Sequence, residues 1–343
     1  MNTKASSVTI GAVASIILAA AAGQAQAAGA ASSYKAPRNS FGQPDLSGTW
    51  SNETLTRMER NPQYGAGLVP TPEELAKAEG LQAEKVEAGH SENDKFRAEC
   101  ETAQAAFNIQ CSYNQAWFDD TPHLMRVNGQ PRTSLITFPE DGRIPRKPDA
   151  PRPAAFGPGG KADNPEDRGL PDRCLVSQNI STGALLNPSI YNNTWLFQQN
   201  KDTVVIVAEM SHDARVIRLG ARHSDIPRWF GDSVGRWEGD TLVVDTVNFQ
   251  PEQLRYNSPA LHLTERFTRV APDRVLYQFK VEDPGVYTQP WGGEYEFTTA
   301  KGLQYEYACH EGNYAMRGIL EGARADERAA AAKAGAQQAS AGR

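Results

Sequence analysis

Between residues 193 and 309 the chain repeats one pattern: a short run alternating apolar and polar side chains, a few turn formers, then another run. Asn193–Gln199 and Thr203–Glu209 flank Asn200-Lys201-Asp202, and Arg215–Leu219 follows. Gly235 to Asp245 carries a tight Gly239-Asp240 turn before a β-branched run. Leu263–Val270 and Arg274–Val281 flank Ala271-Pro272-Asp273; Glu294–Thr299 and Gln304–Cys309 flank Lys301-Gly302. Alternation of period two sends successive side chains to opposite faces of a strand, and connections this short join antiparallel neighbours. A meander of this length leaves exposed edges unless it closes or packs on a second sheet. The pattern therefore predicts a mainly β, antiparallel meander forming a barrel or a sandwich.

The flanking segments set the domain plan. Lys4, the apolar run Val8 to Ala22 and Ala25-Gln26-Ala27 predict an export signal over 1–27. Residues 28–45 read as an extended lead-in, 46–327 as one β-rich domain, and the Ala/Gln/Gly-rich 328–343 as a disordered tail. Within the domain, Thr71-Pro72-Glu73-Glu74 is a capping box with proline at the first helical position. It opens a Glu- and Lys-rich helical insertion over 71–107, with breaks expected near Gly80 and Gly89. Residues 145–172 form a Pro-rich loop, a lid or a linker. After Gly312, Ala315, Ile319, Leu320 and Ala323 share one face of a C-terminal helix.

The formal net charge of −6, with signs interspersed and no basic block, argues against a nucleic-acid partner. No stretch after the signal approaches a membrane span, so no stable membrane insertion is expected. Four cysteines in an exported chain favour disulfides. Of the three pairings available, Cys100–Cys111 as a local loop and Cys174–Cys309 as a long-range staple are preferred.

Chemistry is expected where titratable groups meet strand ends. His310 and Glu311 follow the run Tyr305 to Cys309, and His212 and Asp213 precede Arg215. A histidine oriented by Asp213, Glu265 or Glu311 suits a general base; Arg215 and Tyr307 suit charge stabilisation. The catalytic candidates are thus His310, Glu311, His212, Asp213, Arg215 and Tyr307. Trp237, Trp291, Tyr287, His262 and Glu265 are candidates to line a substrate pocket. Asp232 and Ser233 sit among turn formers and read as structural. Rossmann and P-loop fingerprints are missing from the sequence, and Ser233 lacks a nucleophile elbow.

Pro44 to Trp50, Ser134-Leu135-Ile136, Asp141 to Pro145, Arg173-Cys174, His212 to Arg215, Gly231-Asp232-Ser233, Gly235 to Leu242 and Tyr305 to Tyr314 together resemble a large group of exported bacterial proteins. That resemblance covers nearly the whole mature chain. It implies export and one β-rich unit, and carries over no catalytic residue. Gly48-Thr49-Trp50 also resembles the first strand of lipocalin-like barrels, where the tryptophan closes the barrel bottom. The expectation is an exported enzyme acting on a small, partly hydrophobic organic molecule by cofactor-independent acid–base chemistry, as an isomerase, lyase, hydratase or hydrolase. The alternatives are a non-catalytic lipocalin-like binding protein and a metal-dependent enzyme using His212, His262 and His310. No cofactor is predicted; a divalent metal belongs to the last alternative alone.

Overall fold

The computed structural model describes residues 34–100, 121–150, 162–170, 172–175, 185–189, 191–210, 213–250, 257–302 and 304–341, with backbone alone for 88–100 and 339–341. The alternating runs become β5 (Thr194–Gln199), β6 (Thr203–Ala208), β7 (Ala214–Leu219), β8 (Asp232–Glu238), β9 (Thr241–Val247), β10 (His262–Ala271), β11 (Arg274–Glu282) and β12 (Trp291–Thr299). Before them come β1 (Gly48–Ser51), the small β2–β3 hairpin (Arg126–Val127 and Gln130–Pro131) and β4 (Ile136–Phe138). Strand β1 pairs with β5 on one side and β12 on the other, so β1 and β5–β12 close into a nine-strand barrel.

A closed ring with an odd number of strands cannot alternate direction throughout. One pair must run parallel, and it is β7–β8, with Ile217 opposite Ser233. Parallel neighbours need a long crossover, which residues 220–231 supply. Strand β4 lies outside the ring, against the start of β12. Gly292 and Gly293 make that approach feasible: a Cβ there would fall 2.4 Å from the Phe138 ring and 1.9 Å from the Leu135 carbonyl oxygen.

The run Gln304–Cys309 is not a strand. Residues 304–308 carry no regular structure, and Cys309–Gly312 form a short helix, α2. The neighbours of β12 are already taken by β11, β1 and β4, leaving no edge for another strand. Helix α1 (Pro72–Cys100) starts at the expected capping box: the Thr71 amide donates to Glu74 Oε2 at 2.8 Å, and the Glu74 amide to Thr71 Oγ1 at 3.2 Å. It runs unbroken through Gly80 and Gly89. Helix α3 (Tyr314–Ala341) continues past residue 328, where a disordered tail is expected; its alanines favour helix intrinsically. Cys174 and Cys309 form a disulfide. The Cys100–Cys111 pairing, the signal, and residues 151–161 and 171 of the Pro-rich loop lie outside the described residues.

The barrel interior is packed. Phe197, Phe267, Tyr277, Tyr295 and Phe297 interlock, with neighbouring ring centroids 4.8–5.8 Å apart. Trp50 closes one end. Its indole donates to the Leu46 carbonyl at 2.9 Å, and the Arg269 guanidinium lies 5.4 Å over its ring while donating to the Asp45 carbonyl. The opposite end, where β12 begins, is roofed by segments 52–62, 133–146, 185–193 and 283–291.

Candidate functional site

Three clusters gather the chemistry-bearing residues; the in–out alternation of the strands sets the first two, and loops at one barrel end build the third. Inside, Arg215 on β7 and Glu265 on β10 occupy inward positions in phase with Ile217, Leu263 and Phe267. The Arg215 guanidinium grips Glu265 with both terminal nitrogens, and also donates to Ser233 Oγ at 3.0 Å and Thr246 Oγ1 at 2.8 Å. Tyr277 donates its hydroxyl hydrogen to Glu265 Oε1 at 2.8 Å. Burial pushes the Glu265 carboxyl up while Arg215 pulls against it, and burial drives the Tyr277 hydroxyl well above its ordinary range. Leu186 from the roof plugs this interior. Its amide donates to Tyr277 at 3.4 Å and its carbonyl accepts from Asn52, which also reaches Tyr295 and Trp195. Arg215 and Glu265, expected at a catalytic centre and a pocket wall, are thus locked together with no solvent access.

The second cluster runs across the outer face of β8, β9 and β10. Asp245 receives His262 Nε2 at 2.6 Å on one oxygen and His223 Nε2 at 2.8 Å on the other. His223 Nδ1 meets Asp232 at 3.2 Å, so both of its nitrogens face carboxylates. Asp232 is fully buried under the 220–231 crossover and also binds Arg218, Arg228 and the Ser224 amide. Burial would raise its carboxyl, but these donors hold it below the ordinary range. The hydrogen bond from His262 lowers Asp245 against its partial burial, and the same bond raises His262.

The third cluster is a groove of about 450 Å³ at the roofed end. Inward-facing Trp291, Met58, Ile144 and Leu185 supply its apolar surface; Arg57, Arg60 and Arg143 add guanidiniums. Its carboxylate, Glu59, already accepts from the Ile144 amide at 2.9 Å. Tyr287 stacks edge-on to Trp291 at 5.7 Å, under Arg146 at 5.5 Å.

The remaining candidates do not join one centre. His310 and Glu311 are exposed on α2, and His310 lines an open depression of about 600 Å³ beside the disulfide, with Arg173 and Met316. Tyr307 is half-buried in the segment leading to α2. Trp237 packs against the core near the end of β8, away from the groove. His212 lies outside the described residues. Its neighbour Asp213 has a buried oxygen with no partner among the described residues, and burial pushes its carboxyl up to about 7. Among the described residues no three His, Cys, Asp or Glu side chains form a shell for a metal ion, and His262 and His310 stand in different clusters.

Sequence reasoning missed His223, Asp245, Arg57, Arg60, Arg143 and Leu185. The last four come from loops with no local signature. Asp245 carried one signal, a charge at an outward position of an otherwise apolar strand. Among the described residues no helix is long and apolar enough to cross a membrane. The chain matches no protein-family model, no curated protein and no solved structure.

Proposed function

We propose that this protein is an exported binding protein that takes a small, partly apolar organic molecule at the roofed end of its barrel. The observation that carries this reading is the groove over Trp291, where aromatic and aliphatic side chains meet a few polar groups, the composition of small-molecule sites. The packed interior leaves a ligand no place in the lumen, so the mouth is the binding surface. The disulfide fits an oxidising compartment such as the periplasm. The test is thermal shift of the mature protein against a broad set of small organic compounds, repeated with Met58→Glu. Compounds that raise Tm for the native chain and not for the variant support the reading. A set without a single stabilising compound, or shifts unchanged in the variant, overturns it.

A second reading, acid–base catalysis, is favoured by Asp213, whose buried carboxyl titrates near neutrality as a general acid or base must. Turnover of any bound compound that survives Asp213→Asn undiminished removes this reading.

A further inference from the structure

The groove holds an excess of hydrogen-bond donors. Arg57 and Arg143 stand exposed at its rim, while Arg60 lies beneath them, 3% exposed. Arg60 is fixed from behind: one terminal nitrogen donates to the Ala66 carbonyl at 2.9 Å and the Glu140 carbonyl at 2.7 Å, and Gly142 packs against its side chain. That leaves its Nε–H buried and without an acceptor among the described residues. The Trp291 indole, 4% exposed, shares the groove and turns its N–H to the Tyr287 hydroxyl. A buried donor lacking an acceptor is unfavourable and rare in folded proteins. One such donor, below two guanidiniums without a side-chain partner among the described residues and with the one described lining carboxylate already engaged, asks for an acceptor bearing negative charge. The chain as a whole is acidic, with a formal net charge of −6, so this local surplus of cations runs against the global balance.

We infer that the groove recognises an organic anion: a carboxylate placed among Arg57, Arg60 and Arg143, with a short aromatic or aliphatic body lying on Trp291, Met58, Ile144 and Leu185. The inference rests on the binding reading above and names its ligand class. Planar guanidiniums match a carboxylate two bonds at a time, and charge-assisted bonds of this kind are the strong ones.

The experiment is calorimetric titration of the mature protein with a panel of small aromatic and aliphatic carboxylates, each paired with its primary alcohol and amine. The rim variant Arg57→Gln/Arg143→Gln is run alongside, because both side chains are exposed and the fold does not depend on them. The expected result is carboxylates binding about tenfold or more tighter than their alcohols, amines binding weakest, and the preference falling severalfold in the rim variant. Alcohols and acids binding equally would overturn the anion inference and leave the groove as a neutral binding site. No member of any series binding would overturn the groove reading itself.

Discussion

The two faces of the barrel wall carry the same kind of chemistry in opposite settings. Inside, Arg215, Glu265 and Tyr277 form a cation–carboxylate–hydroxyl cluster with no solvent contact. Outside, one residue away along β9 and three along β10, His223, Asp245 and His262 form a carboxylate–imidazole chain at the water's edge. In the interior, each charge is held by several bonds. On the outer face, water competes for every one of them. Position relative to the wall, more than residue type, decides which cluster fixes the fold and which can titrate.

The sharpest way to break this comparison is Glu265→Ala. It strands the Arg215 guanidinium in the core and should cost about 3–5 kcal/mol in urea unfolding; a loss below about 1 kcal/mol would mean that water reaches the pair. The next largest effect is a recovery. Arg215→Met combined with Glu265→Leu removes both charges, and should regain at least about 2 kcal/mol of the single-variant loss. No recovery would locate the interior's stability in the ion pair itself.

Asp213→Asn tests a carboxyl raised by burial, with no cation beside it among the described residues. Because its folded value is raised from 3.8 to about 7, its contribution is complete below the ordinary value and is lost as pH climbs to about 7. The asparagine variant should therefore match the native chain at pH 3.5 and exceed it by about 1 kcal/mol or more at pH 8. Equal stability at both pH values refutes this.

The smallest effect belongs to the outer chain. Asp245→Asn should cost about 0.5–1 kcal/mol at low salt, shrinking as salt is added. Asp245 is lowered, so its contribution holds above the ordinary carboxylate value of 3.8 and fades as pH falls through its depressed folded value. His262 is raised, so its contribution holds below 6.5 and fades as pH rises through its elevated folded value. The stabilisation should plateau between those limits. A loss as large as that of Glu265→Ala, or one indifferent to pH, would erase the distinction between the faces.

The barrel was legible because period-two alternation and short turns are local signals, and eight of its strands follow them from Thr194 to Thr299 once Gly235 to Asp245 is split at Gly239-Asp240. Tyr305 and Tyr307 mimic the same alternation yet build no strand, because ring closure is a global property that no single run encodes. Arg215 and Glu265 stood out by chemistry, but their meaning depended on phase: each falls on an inward position among apolar neighbours, which marks a buried pair rather than an exposed site. Of the groove, Trp291 and its neighbour Tyr287 were legible as pocket candidates, but the loop residues that complete it were not. Arg60, Arg143, Leu185 and Trp291 come from separate roof segments, and only the closed barrel brings them together.

The parallel seam between β7 and β8 divides the chain's assembly in time. On its far side, β8 to β12 form an unbroken antiparallel series from Asp232 to Thr299, each strand contacting the next across a connection of limited length. Such local contacts form fast, whereas contacts between distant parts of a chain must first overcome loop-closure entropy. The pairing of Trp50 with Thr299 joins nearly opposite ends of the folded chain. Loop-closure entropy therefore favours early formation of the C-terminal series and late sealing of β1 onto β12, which turns a curved sheet into a ring.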